Sequence, residues 1–94
     1  MSRFTTRVEL YGDPNYETYN KLHANMETLG FSRQIIFNQV TYWLPNAEYT
    51  ITSEDSIGTI KNKAINAASK VWVDFGVLVT KTEVDRDFHN LKNV

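Results

Sequence analysis

The chain has 94 residues, 41% of them apolar and 13% aromatic, so it is long enough for one domain with a modest core and too short for two. It contains no cysteine, which excludes a disulfide framework, a thiolate metal site and a cysteine nucleophile. Ten basic and eleven acidic residues give a formal net charge of -1, so any binding of nucleic acid must depend on a local patch of positive charge.

Metal sites and membrane segments are also disfavoured by the sequence. The two histidines, His23 and His89, lie far apart and lack a ligand spacing, so no zinc site is predicted. No apolar run approaches bilayer length, and the amino terminus shows no apolar signal segment. We therefore expect a soluble, cytoplasmic protein with no direct membrane association.

Residues 3–14 predict a first strand that ends in an abrupt turn. The side chains alternate in type, as in a strand with one buried face. One face carries Phe4, Thr6, Val8 and Leu10, and the other carries Thr5, Arg7, Glu9 and Tyr11. Gly12 suits unusual backbone angles, and Pro14 suits the first position of a helix. Asp13 is therefore either the cap of that helix or an acidic group held for function at the end of a central strand.

A first helix is predicted over residues 14–29, where apolar side chains recur at helical spacing. The stripe consists of Tyr16, Tyr19, Leu22, Met26 and Leu29. Gly30 is expected to end the helix in a left-handed conformation. His23 lies beside the stripe, so it is either a partly buried structural histidine or a group that acts near neutral pH.

Residues 31–44 are rich in aromatic and β-branched side chains and predict one extended strand. The alternation slips within it, which indicates either that both faces are covered or that a bulge lies near Asn38 and Gln39. Residues 45–46 supply a turn into a third strand at residues 47–52. We expect these two strands to form an antiparallel hairpin.

A second helix is predicted to begin after Ser53 as its cap. Its buried face is small and carries Ile57, Ile60, Ala64, Ala67, Ala68 and Val71. The fourth strand is predicted at residues 71–80. Its core-facing side chains would be Val71, Val73, Phe75, Val77 and Val79. In the tail at residues 81–94, a short helix at 85–91 is expected to dock weakly, and the last residues are expected to be disordered.

The order β, α, β, β, α, β predicts a ferredoxin-like split β-α-β fold of the α+β class. Both helices would cover one face of a four-stranded antiparallel sheet and leave the other face open. The whole chain is expected to be a single domain with its core at residues 3–80.

The chain also resembles the GhoS-like type V antitoxin endoribonucleases. The likeness is carried by Asp13 and Pro14 after the first strand, Leu22 and Met26 in the first helix, the Gly30-Phe31-Ser32 step, and the segments YTITS at 49–53 and DFGVLVT at 74–80. Members of that family are small ferredoxin-like endoribonucleases that act on the messenger RNA of a membrane toxin. The resemblance implies sequence-selective cleavage of single-stranded RNA.

That family is similar in fold to the small CRISPR-associated nucleases, in which an Asp at the end of the first strand is a metal-linked residue of a dimer. The resemblance therefore implies a role for Asp13, and it leaves room for a divalent metal ion and for a homodimer. Aligning the step at Phe31 places His23 where the antitoxin has an arginine that is tied to activity.

The first hypothesis is an endoribonuclease or RNA-binding regulator. Cleavage beside a 2′-hydroxyl needs a base, an acid and a positive group near the phosphate. The candidate catalytic residues are His23 and Asp13, and the candidate RNA contacts are Arg3, Arg7, Tyr11 and Arg33. An arginine and an aromatic ring on an open sheet face suit single-stranded RNA, whose bases stack on such rings.

The second hypothesis is a non-catalytic module that binds protein or RNA and forms a homodimer through a sheet edge. The strand at residues 71–80 is apolar on both faces, and Tyr42 and Trp43 are aromatic residues of the kind enriched in interfaces. Core packing is the favoured interpretation for Trp72, and it suits Trp43 as well as an interface does. Because the residues contain no triad, phosphate loop or metal cluster, the enzyme class depends on the resemblance.

Overall fold

The fold is built around a central strand with two helices on one side, as described by a computed structural model for residues 1–82 and 88–94. The elements are β1 (Ser2–Leu10), α1 (Tyr16–Thr28), β2 (Gln34–Phe37), β3 (Val40–Trp43), β4 (Glu48–Ser53), α2 (Ile57–Ser69) and β5 (Phe75–Thr82). One antiparallel sheet has the order β4-β1-β5, and β2 and β3 form a second, two-stranded sheet. The described residues therefore form an α+β protein with two helices, five strands and two antiparallel sheets.

The alternation predicted for β1 is confirmed. Its buried side chains are Phe4, Thr6, Val8 and Leu10. Phe4, Val8 and Leu10 pack with Leu22 and Met26 of α1 and with Ile60 and Ala64 of α2 in one core cluster. Because β1 pairs with β4 on one side and β5 on the other, it lies at the centre of the sheet and below the helices.

The two helices begin later than the sequence predicts. Asn15, rather than Asp13, caps α1, with its side chain accepting a hydrogen bond from the Thr18 amide at 2.9 Å. Ser56, rather than Ser53, caps α2 in the same way. Each helix has 13 residues, and no helix in the described ranges combines the length and apolar character that a membrane crossing requires.

The predicted end of α1 is confirmed. Gly30 has a φ of 97°. Its amide donates to the Glu27 carbonyl at 3.0 Å, and the Phe31 amide donates to the Met26 carbonyl at 3.1 Å. This pair of bonds is a Schellman motif, which satisfies the last carbonyls of the helix and turns the chain towards the sheet.

The prediction of one strand over residues 31–44 is wrong. The chain reverses at Asn38 and Gln39, so β2 and β3 pair with each other, and β4 pairs with β1 instead. The predicted hairpin between the second and third strands is reduced to one antiparallel bridge between Ser32 and Thr50. Within the described ranges, the sheet consequently has three strands rather than the predicted four.

The last strand also starts later than predicted. Residues 71–74 form the turn after α2, and Val73, predicted to face the core, is 97% exposed. The indole of Trp72 lies against the core and donates to the Tyr11 carbonyl at 2.7 Å. Residues 71–74 therefore lead from α2 into β5 rather than lengthening β5, and only Val71 and Trp72 of this segment pack against the core.

The end of the chain pairs with the hairpin. The predicted helix at 85–91 lies partly outside the described residues, and its described part, 88–91, is not helical. The Phe88 ring contacts Phe37 and Tyr42 at centroid distances of 5.2 and 4.7 Å. Residues 92–94, for which the sequence predicts disorder, lie along β3, with the Val94 amide donating to the Thr41 carbonyl at 2.9 Å.

The hairpin turn supplies a test of the corrected topology. Its central residues, Asn38 and Gln39, have φ values of 48° and 67°, which suit a type I′ turn. A side chain such as glutamine is disfavoured in this region by about 1 kcal/mol. We expect Gln39→Gly to raise the free energy of unfolding by up to about 1 kcal/mol, measured by urea denaturation.

Asn38→Gly is the matched control, and it should raise stability less because asparagine enters the left-handed region more readily. A Gln39→Gly variant that is less stable than the unsubstituted protein would contradict a reversal at this position.

Candidate functional site

A polar cavity of about 310 Å³ lies between α1 and the β2–β3 hairpin. Its wall includes His23 of α1, Arg33 in the segment that leads to β2, Trp43 at the end of β3, and Tyr49 of β4. We call it the His23 cavity. Helix α1 brings in His23 because Leu22, its neighbour, is fully buried against the sheet, which places the imidazole at the helix margin.

The centre of the cavity is a hydrogen bond between His23 and Tyr49. The Nδ1 atom of His23 lies 2.5 Å from the Tyr49 hydroxyl, and the two rings meet edge-on with centroids 5.6 Å apart. Tyr49 is fully buried, and burial raises the pKa of its hydroxyl well above the usual range. The hydroxyl therefore stays protonated and ties α1 to β4.

Burial lowers the pKa of His23, and the positive charge of Arg33 lowers it further. A hydrogen bond with the Asn46 side chain and the charge of Glu27 act in the opposite direction, but more weakly. The imidazole is consequently neutral at pH 7, which is the form that accepts a proton.

Arg33 and Trp43 form the mouth of the cavity. The guanidinium carbon of Arg33 lies 5.6 Å from the centre of the Trp43 ring, in a cation–π arrangement. The Nε atom of Arg33 is buried and has no hydrogen-bond partner in the described part of the chain. Trp43 is 39% exposed, so the cavity presents a positive group and an accessible ring side by side.

Asp13 lies apart from this cavity. It is exposed in the turn between β1 and α1 and does not line the wall. From Tyr16 to His23 the helix rises about 10 Å, at 1.5 Å per residue. The structure thus brings His23 and Arg33 together, and it leaves the other predicted catalytic residue before the start of α1.

The remaining predicted RNA contacts lie on the helix-free face of the sheet. Arg3 and Arg7 project from this side of β1, as the alternation predicts, and Tyr11, the residue after the strand, lies against Gly76 on the same side. The Tyr11 ring covers Gly76 so closely that the Cβ of any other residue at this position would lie 2.7 Å from the Tyr11 hydroxyl. Arg7 stands opposite Glu48 in the neighbouring strand, so its charge is partly offset.

The sequence predicts Tyr49 only as a strand residue, and Trp43 only as an interface or core aromatic. No local signal marks either of them as a neighbour of His23, because Tyr49 lies 26 residues further along the chain. Their role in the cavity depends on how the hairpin folds back over α1.

Neither a group of metal ligands nor a comparison with known proteins adds to this description of the cavity. Within residues 1–82 and 88–94, no group of three or more His, Asp or Glu side chains is placed to hold a metal ion. No family model, curated protein sequence or solved structure matches the chain. The chemistry of the cavity therefore rests on its own residues.

The lowered pKa of His23 predicts a dependence of stability on pH. Its pKa lies below the ordinary value of 6.5 in the folded protein, so the unfolded chain binds the proton more readily. The contribution of His23 to stability is complete above pH 6.5 and is lost as the pH falls below it. We expect the free energy of unfolding, measured by urea denaturation between about pH 7.5 and 5.5, to fall with pH.

His23→Gln should flatten this dependence. His89→Gln is the matched control and should leave it in place, because His89 is exposed at the other end of the chain. An equal pH dependence in the unsubstituted protein and in His23→Gln would contradict the assignment to His23.

Proposed function

We propose that this chain is a ferredoxin-like, antitoxin-type endoribonuclease that cuts the single-stranded messenger RNA of a membrane toxin selectively by sequence, with the His23 cavity as its site. The observation that carries the proposal is the grouping of a neutral imidazole, a guanidinium and an accessible indole around one cavity. These are the groups that proton transfer, phosphate binding and base stacking require.

The arrangement of strands supports the ferredoxin-like part of the proposal. Strands β5, β1 and β4 correspond in order and direction to three strands of such a sheet, with both helices on one face. The Ser32–Thr50 bridge lies on the outer side of β4, where the fourth strand would pair. The β2–β3 hairpin then continues from the end of the place where that fourth strand would lie.

Binding of RNA would use the mouth of the cavity. An unstacked base can lie on the Trp43 ring, as bases of single-stranded RNA do on aromatic side chains. Arg33 then contacts the adjoining phosphate through charge-assisted hydrogen bonds. Selectivity for sequence would come from polar side chains on the wall, such as Asn20 and Gln34.

Cleavage would begin with removal of the proton from a 2′-hydroxyl. In the tautomer whose Nδ1–H donates to the Tyr49 oxygen, the Nε2 atom of His23 carries the free electron pair and takes that proton. The 2′-oxygen bonds to phosphorus, the bond from phosphorus to the 5′-oxygen breaks, and a 2′,3′-cyclic phosphate forms. The departing 5′-oxygen takes a proton from water or from an acidic group that lies close to the bound RNA.

Tyr49 and Arg33 would assist His23 in its role as the general base. Tyr49 holds the imidazole in one orientation, and Arg33 offsets the charge that develops on the phosphate. Asp13 would act on RNA that extends past the start of α1, either in proton transfer or by helping to hold a divalent ion. Sensitivity of cleavage to a chelator decides whether such an ion is needed.

The second candidate is a non-catalytic RNA- or protein-binding module. It is favoured by one specific observation, the position of Asp13 outside the cavity that holds His23. In this alternative, His23 serves to satisfy the buried hydroxyl of Tyr49. The same surface then binds its partner without cutting it.

Cleavage of a mixed-sequence single-stranded RNA by the purified protein, with and without a chelator, tests the proposal. We expect cuts at selected sites, a loss of at least about 100-fold in rate in His23→Ala as for a missing general base, and a smaller loss in Asp13→Ala. His89→Ala is the matched control and should cut at the original rate. Circular dichroism establishes that each variant is folded.

No cutting, or cutting at one rate in all four proteins, would contradict an enzyme at this site. RNA that is bound but left intact would support the second candidate. Cutting that stops in the chelator lane would establish a requirement for a metal ion.

A separate prediction concerns where RNA binds. We expect Arg33→Ala to weaken binding of single-stranded RNA about tenfold and to reduce the slope of log affinity against log salt by about one. Arg7→Ala is the matched control on the helix-free face and should have less effect, because Glu48 offsets its charge. A larger effect of Arg7→Ala, measured by fluorescence anisotropy, would move the binding surface to that face.

A further inference from the structure

The outer edge of β5 is the longest uncovered strand edge in the described part of the chain. β5 is the last strand in the order β4-β1-β5, and it runs for 8 residues. The Tyr11 amide donates to the Asp74 carbonyl at 2.9 Å, which fixes the alternation of hydrogen bonds between β1 and β5. The backbone groups of Phe75, Val77 and Val79 therefore point away from β1.

The other strand edges are protected or short. The Ser32–Thr50 bridge covers part of the outer side of β4, and residues 92–94 lie along β3. The edge of β2 has only 4 residues. By contrast, β5 contains no proline, and its one charged residue, Lys81, lies next to its end, so residues 75–80 lack the usual means of preventing an edge from pairing.

The side chains of β5 are also incompletely buried. Phe75, Val77 and Val79 face the helices and pack against the core, yet each stays partly exposed, whereas Val8 in the next strand is fully buried. On the opposite face, Leu78 is 64% exposed. A strand added to this edge would cover both sets of side chains.

We propose that β5 pairs in an antiparallel register with β5 of a second copy of this chain, about a two-fold axis at Leu78, so that the two sheets join into one of six strands. This interface does not depend on the proposed RNA function. Val77 of one copy stands opposite Val79 of the other, and Leu78 stands opposite Leu78 of the second copy.

The symmetry of the edge fits a second copy. A two-fold axis perpendicular to a sheet keeps each face on its own side, so the residues that oppose each other must project from the same face. The axis at Leu78 meets this condition. Val77 and Val79 have backbone groups that point outward, and this axis pairs each of them with the other in the second copy. These hydrogen-bonded pairs of the new ladder would add about four hydrogen bonds.

Charge near the edge favours a protein partner over a nucleic acid. Arg7 and Glu9 stand beside Leu78 and Gly76 in the β1–β5 register, and their opposite charges cancel. Asp74 and Lys81, at the two ends of this edge, likewise carry opposite charges, and a surface with no net charge does not attract a polyanion. The same surface does not repel a second copy of the chain. At the proposed axis, the exposed Leu78 favours contact between apolar side chains.

Sedimentation velocity of the unsubstituted protein over a range of concentrations is the first test, and we expect reversible dimers. Edge pairing buries less surface than the roughly 1,200 Å² of a standard stable interface, so the range must extend to several hundred micromolar. We expect Leu78→Lys to weaken dimerisation at least about tenfold, because it places like charges opposite each other at the axis. Val73→Lys is the matched control, since Val73 is 97% exposed and lies before the paired residues.

Cross-linking tests the register, and the absence of cysteine from the sequence makes single-cysteine variants simple to read. Opposed residues of a non-hydrogen-bonded pair have Cα atoms about 4.5 Å apart, within reach of a disulfide. Leu78→Cys should therefore form covalent dimers at least about tenfold faster than Val73→Cys under mild oxidation. A monomer throughout the concentration range, dimers unaffected by Leu78→Lys, or equal cross-linking of the two cysteine variants would each overturn the proposal.

Discussion

The structure depends on the position of β1 between β4 and β5. A strand with partners on both sides has all its backbone groups satisfied, and its one apolar face then lies at the centre of the sheet. Leu22 and Ile60 meet on this face from two different helices, and both are fully buried. β1 thus offers one apolar face to both helices, while α2 also lies close to β5 and the two helices contact each other.

In this arrangement one side of α1 lies over β4, and the His23 cavity forms along that side. The hydrogen bond between His23 and Tyr49 crosses from helix to sheet and satisfies a buried hydroxyl. Because the same imidazole is partly desolvated and lies near Arg33, it stays neutral at pH 7. This hydrogen bond therefore stabilises the packing of α1 on β4 and also orients an imidazole that can accept a proton.

The β2–β3 hairpin encloses the cavity from the other side. Leu44 donates its amide to the Arg33 carbonyl at 2.6 Å, which closes the base of the hairpin and keeps Arg33 near Trp43. The end of the chain then lies along β3 and packs Phe88 against the hairpin. A second apolar cluster on the far side of the hairpin thus supports the mouth of the site.

The sequence by itself determined β1, the bodies of both helices and the left-handed turn at Gly30, because periodicity and glycine chemistry act between near neighbours. It did not reveal the reversal at Asn38 and Gln39, since neither residue is a glycine. The helices are capped by Asn15 and Ser56 because several residues before each helix are able to cap it, and packing selects among them. Only the tertiary structure decided that His23 meets Tyr49 while Asp13 stays apart, because contacts between distant residues depend on how strands pair and helices pack, which no local pattern encodes.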